Sequence, residues 1–165
     1  MGTNQIFMII LSVIIIGIAV TVGIGMFNQY AENSNRNALI SDLNKIAGHA
    51  MAFYKAPNSL AGGAGHWIPF KDGNVDKTRG DALGMWLGKE NYTESASGDR
   101  FETENGVFWM NLDSWTSDDL IIIASGNEKG RNSNFTSQGH GDTGCIEVKM
   151  IIDGSTGERT LQILN

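Results

Sequence analysis

Residues Ile6 to Phe27 read IFMIILSVIIIGIAVTVGIGMF, and this stretch decides the architecture of the chain. Apart from Ser12, Thr21, Gly17, Gly23 and Gly25 it is wholly apolar, and no charged side chain precedes Glu32. As a helix the run is about 33 Å long, enough to cross a hydrocarbon core of about 30 Å. A cleaved secretory signal would need a basic leader region and a shorter apolar core ending at a small-residue cleavage site. No Lys or Arg stands before this run, and NQYAENSN follows it. The segment is therefore expected to stay on the mature protein.

The sequence beyond Phe27 changes character without a break. Asn28 to Asn37 is polar and holds neither proline nor glycine. Leu39, Leu43, Ile46, Ala50 and Phe53 then recur at steps of four, three, four and three, the stripe of an amphipathic helix. Asp42, Asn44, Lys45 and His49 fall off that stripe, on faces that can be wet. Ala56-Pro57-Asn58 supplies a stop, because proline pushes its predecessor out of the helical region. The spacing predicts one helix from about Thr3 to Lys55, about 80 Å long at the standard rise. Its first half must sit in lipid or among other helices, and the stripe of its second half must cover a domain.

That domain is the remainder, residues 56–165. Ser59 to His66 reads as a flexible glycine-rich connector, and Asp81 to Leu87 as a short helix or turn carrying Met85, Trp86 and Leu87 inward. Four runs have strand character: Val107–Leu112, Asp119–Ala124, Cys145–Ile152 and Arg159–Leu164. Alternation in Ile146, Val148, Met150 and Ile152, and again in Leu161 and Ile163, gives each of the last two strands one apolar face. The predicted fold is α+β: a long N-terminal helix over residues 1–55, packed by its amphipathic half on a small antiparallel sheet in a head over residues 56–165.

Charge and motifs narrow the function. Twelve Lys and Arg against 18 Asp and Glu leave a net charge of −6, without the basic stripe that a nucleic-acid binder needs. One cysteine, Cys145, excludes an intrachain disulfide and reads as a small buried residue. No GxSxG, phosphate-binding glycine loop or HExxH is present, so no catalytic residue and no cofactor are assigned and the chain is not read as an enzyme. Asp72, Asn74 and Asp76 place oxygens at alternate positions like the opening of a calcium loop, but Lys77 and Leu83 stand where such a loop needs glycine and glutamate. Asp113, Asp118 and Asp119 form a second acidic cluster. Both are weak metal candidates beside the default of solvated turns. Asn91 and Asn134 open sequons in polar sequence and are the glycosylation candidates. Trp67, Trp86, Trp109 and Trp115 read as head core and rim.

GTNQIFMIILSVIIIGIAVTVGIGMF, the Asn-rich stretch after it and the Leu39–Phe53 stripe resemble the type IV pilin-like superfamily of bacterial pilins, pseudopilins and their archaeal relatives. The resemblance implies processing after Gly2, leaving Thr3 as the first mature residue. Bacterial members usually carry a glutamate five residues into the mature chain; here the fifth residue is Gln5 counted from Met1, or Phe7 counted from Thr3. The resemblance further implies the major pilin of an extracellular type IV pilus-like filament (a fimbrium) serving adhesion, motility or surface attachment. Its partners would be copies of itself, the membrane before assembly, where it is a single-pass precursor, and the pilus assembly machinery.

In such a filament the apolar half packs against its neighbours, with Gln5, Ile6, Ile10, Val13, Ile14, Ile15, Gly17, Ile18, Val22, Gly23 and Gly25 as candidate core positions. The three glycines are also candidate points of bending or local melting, Gly23-x-Gly25 above all, or at Gly17 of close helix packing. Two alternatives stand beside the major pilin. One is a pseudopilin or minor pilin of a type II secretion or DNA-uptake machine. The other is a membrane-anchored extracytoplasmic binding module that never polymerises.

Overall fold

The computed structural model describes residues 2–67, 70–71, 74–75, 83–84, 86–88, 99–111, 119–128 and 145–164, with backbone alone for 70–71, 74–75, 99–101 and 111. Helix α1 spans Thr3–Lys55, the limits the sequence predicts. Two compact units divide the chain, Met1–Ser34 and Asn35–Asn165. The first is helix alone. The second contains residues 35–55 of α1 together with every strand.

The second unit is built on a five-stranded antiparallel meander in the order β3-β4-β5-β6-β7. Its strands are β3 (Asp99–Glu102), β4 (Gly106–Asn111), β5 (Asp119–Gly126), β6 (Glu147–Asp153) and β7 (Arg159–Ile163). A two-stranded pair, β1 (Phe70–Lys71) with β2 (Asn74–Val75), stands apart from that sheet. Strand β3 has no counterpart in the sequence reading; it pairs along β4 from Asp99 opposite Met110 to Glu102 opposite Val107.

The predicted stripe is the helical side of the core. Leu39, Leu43, Ile46, Ala50 and Phe53 are buried, joined by Ala47 and Met51. They pack on Phe108 and Met110 of β4, Leu120, Ile122 and Ala124 of β5, and Ile146, Val148, Met150 and Ile152 of β6. Alternation on β6 thus does what period-two patterning requires. On β7 it does not. Leu161 and Ile163 oppose Met150 and Val148, on the helix-side face, yet are 38% and 57% exposed. The helix stripe covers β4 to β6, and β7 is the edge strand beyond it.

The opposite face of the sheet is also apolar at its centre, where Val107, Trp109 and Ile123 are buried with Ile121 packed against them. The sequence alternation gives one apolar face to each of the last two strands and does not announce this second one. The unbroken apolar runs Val107-Phe108-Trp109-Met110 and Leu120-Ile121-Ile122-Ile123-Ala124 are what strands buried on both faces look like.

The glycine-rich stretch after the helix is a tight cap and not a flexible connector. The N–H groups of Gly63, Ala64 and Gly65 donate to the carbonyls of Phe53, Ala56 and Tyr54 at 2.8, 2.8 and 2.7 Å, satisfying the otherwise orphaned end of α1. A Cβ on Gly62 would overlap Ala56, and one on Gly63 would overlap the His66 carbonyl. Beside this cap Tyr54 meets Trp67 with ring centroids 4.7 Å apart, and Phe53 meets Trp86 edge-on at 5.9 Å.

Candidate functional site

Two features of the structure bear on function, one in each unit. In the first unit, 16 large apolar side chains between Ile6 and Phe27 are each 49% to 73% exposed. No part of the most apolar 18-residue window is buried. Burying such a side chain is worth about 1.5–3 kcal/mol, so this surface in water forgoes on the order of 20 kcal/mol. A domain's whole net stability is about 5–15 kcal/mol. The helix is long and apolar enough to cross a membrane and is compatible with a membrane anchor.

The two hydroxyls in this stretch are satisfied without outside help. Ser12 Oγ donates to the Met8 carbonyl at 2.8 Å, and Thr21 Oγ1 to the Gly17 carbonyl at 2.9 Å. Neither would therefore stand unpaired in lipid or against a neighbouring helix. The candidate melting points Gly17, Gly23 and Gly25 all lie within continuous helix. A penalty of about 1 kcal/mol per glycine does not break a helix whose hydrogen bonds continue on both sides. A Cβ on any of the three would meet nothing within 4 Å, so all three are open to close approach from outside. Gly2 precedes α1 and Thr3 opens it.

In the second unit a polar seam ties the helix to the β3–β4 turn. Asn35 Nδ2 donates to the Asn105 carbonyl at 2.9 Å, and its Oδ1 accepts from the Asn127 N–H at 3.1 Å. One turn pair further on, Asp42 Oδ2 accepts from Asn105 Nδ2 at 2.7 Å and from Thr103 Oγ1 at 3.5 Å, while Lys45 reaches Oδ1 at 3.2 Å. The turn reinforces itself, with Asn105 N–H donating to Thr103 Oγ1 and Thr103 N–H to the Gly106 carbonyl. Two glycines let the backbones close. A Cβ on Gly106 would overlap the Ser125 carbonyl and press on Leu39, and one on Gly126 would overlap Asn35 Oδ1.

Asp42 is thus not on a wet face, as its place off the stripe suggests. Its side chain is only 15% exposed and is gripped from the sheet. Spacing alone cannot reveal this, because the partner lies 63 residues away. A weak signal exists in the glycines at the start of β4 and the end of β5, where a missing side chain often marks close backbone approach. Alongside the seam runs an open groove of about 370 Å³ with Ile46 and Leu87 on its apolar side and Lys45, His49 and Glu104 on its polar side.

The remaining sequence candidates do not converge. Asp119 begins β5 and is exposed. Asn74 is described by its backbone only, in β2. Asp72, Asp76, Asp113, Asp118, Asn91, Asn134 and Trp115 lie outside the described residues. Among the described residues no three of His, Cys, Asp or Glu are placed to share a metal ion. Cys145 is buried just before β6, as a small packed residue would be. Comparison with protein-family models, curated proteins and solved structures finds no match for this chain. An architecture argument remains: one long N-terminal helix, apolar in its first half, with its amphipathic half on a small antiparallel sheet, is a pilin-like arrangement.

Proposed function

We propose that the chain is the structural subunit of a type IV pilus-like helical filament, held in the membrane as a single-pass protein before assembly. The observation that carries this reading is the helix surface over Ile6–Phe27, apolar on every side and exposed among the described residues. Lipid satisfies that surface in the subunit, and equivalent helices of neighbouring copies satisfy it in a fibre. Contacts of this kind between copies are head-to-tail, and head-to-tail contacts that do not close into a ring grow into helical filaments. The head has its own buried core and does not need the apolar half to fold around, which suits a subunit that exchanges one surrounding for another.

The test is electron microscopy of cells expressing the chain at native level, beside the Ile15→Asp variant at matched subunit level. The parent should give long fibres composed of this chain, and the variant none, because a carboxylate cannot be buried unpaired among apolar helices. Normal fibres from Ile15→Asp would overturn the assignment of this surface to the fibre core. A parent found only as dispersed membrane-anchored monomers would replace the filament with a non-polymerising module. Short fibres attached to a secretion complex would make it a pseudopilin.

A further inference from the structure

The seam contains the one Asn-Gly pair in the sequence, Asn105-Gly106. Asparagine before glycine is the dipeptide most open to self-attack, because no side chain on the following residue hinders its backbone nitrogen. In that reaction the Gly106 nitrogen loses its proton and bonds to Cγ of Asn105. The Cγ–Nδ2 bond breaks, ammonia leaves, and water then opens the resulting succinimide to aspartate or isoaspartate. The fold cannot avoid the pair. Gly106 is demanded by the contacts a Cβ would make with the Ser125 carbonyl and Leu39, and Asn105 is the residue that bonds both helix side chains of the seam.

We propose that Asn105-Gly106 is a latent deamidation site which the Asn35 and Asp42 contacts hold closed in the folded head. Three atoms of Asn105 are engaged: Nδ2 with Asp42 Oδ2 at 2.7 Å, the carbonyl with Asn35 Nδ2 at 2.9 Å, and N–H with Thr103 Oγ1 at 3.2 Å. Together they fix the side-chain amide toward the helix and the peptide plane against rotation, whereas attack requires Cγ to swing onto the Gly106 nitrogen. Conversion is also irreversible, because the ammonia is lost. An acid at position 105 sets a second carboxylate against Asp42 where an amide donor had been, and isoaspartate lengthens the turn backbone by one carbon. Either product opens the seam and does not reverse.

The experiment is peptide mapping by mass spectrometry of the full-length chain in detergent micelles, incubated in mildly alkaline buffer, beside a synthetic peptide covering residues 100–111. Since reaction requires local opening of the seam, conversion at Asn105 should be at least about tenfold slower in the folded chain than in the peptide. Asn35→Ala and Asp42→Ala, each of which removes a partner of Asn105, should each raise it several-fold while circular dichroism stays native. Met51→Ala weakens the core near the β6–β7 turn without touching the seam, and should leave the rate at the parent's value. A folded chain that converts as fast as the peptide overturns the proposal. So does conversion unchanged in Asn35→Ala, which keeps the claim testable should Asp42→Ala fail to fold. Equal acceleration by Met51→Ala would assign the protection to the fold as a whole and overturn the role of the seam.

Discussion

Replacing Asn35 by Ala pits helix propensity against the seam, and the two have opposite signs. Asn35 makes one part-buried bond, to the Asn105 carbonyl, and one exposed bond, from the Asn127 N–H. The first should be worth about 1 kcal/mol and the second about 0.5 kcal/mol, because water replaces an exposed partner more easily. Alanine returns about 0.6 kcal/mol of intrinsic helix preference. The net cost is about 1 kcal/mol, which in a unit of about 130 residues lowers the thermal midpoint by about 3–4 °C. Asn37, two residues on and exposed, provides the control. Asn37→Ala should raise the midpoint by about 1–2 °C through propensity alone. The assay is thermal unfolding of full-length chain in micelles, followed by circular dichroism. Gly126→Ala should displace the Asn35 amide and cost as much as the lost bonds, but cost little in an Asn35→Ala background. If Asn35→Ala raises the midpoint as Asn37→Ala does, the seam bonds contribute nothing and the reasoning fails.

Three further outcomes follow from the second unit. Ser125 is fully buried and its hydroxyl has no hydrogen-bond partner among the described residues, so Ser125→Ala should stabilise the head by about 1 kcal/mol, read as a raised midpoint. Asp153 accepts at Oδ1 from Ser155 N–H at 2.8 Å, Ser155 Oγ at 2.7 Å and Thr156 N–H at 3.0 Å. The Ser155 and Thr156 bonds lower its pKa to about 2 from 3.8. A depressed carboxylate stabilises above its unfolded value and loses that contribution as pH falls through the folded one. The midpoints of parent and Asp153→Asn should therefore differ at pH values above about 4 and converge toward about pH 2. Truncation before Cys145 removes β6 and β7, and with them Ile146, Val148, Met150 and Ile152 from the core. It should abolish protease resistance of the head, and a truncated chain that keeps it would make the hairpin peripheral.

The legible part of this protein is the part governed by period. The limits of α1, the buried stripe from Leu39 to Phe53 and the inward face of β6 all follow from apolar spacing, because burial along one element repeats with that element's own geometry. What escaped depends on neighbours distant in sequence. β7 shows the same alternation as β6, yet Leu161 and Ile163 stay exposed, since alternation marks a face and not whether anything lies over it. β3 (DRFE) has one large apolar residue in four and is held by its register with β4, a pairing that no local pattern encodes. The glycines at 63 and 65 read as flexibility and instead close the helix end, because composition reports conformational freedom and not how it is spent.

The seam escaped for a further reason. Asn35 lies in a segment whose asparagines (Asn28, Asn33, Asn35, Asn37) are all poor helix formers, so the sequence presents four equivalent polar positions between the apolar run and the stripe. Of these, Asn35 meets both the Asn105 carbonyl in the β3–β4 turn and the Asn127 N–H after β5. It does so because Gly106 and Gly126 let the strands come close enough, and those glycines are 71 and 91 residues further along the chain. The compact head begins at this same residue. Before it, α1 carries apolar side chains that stay exposed among the described residues; after it, each turn of helix contributes to a core. A single continuous helix can serve both surroundings because its backbone is satisfied internally throughout, and only the side chains decide what each half must meet.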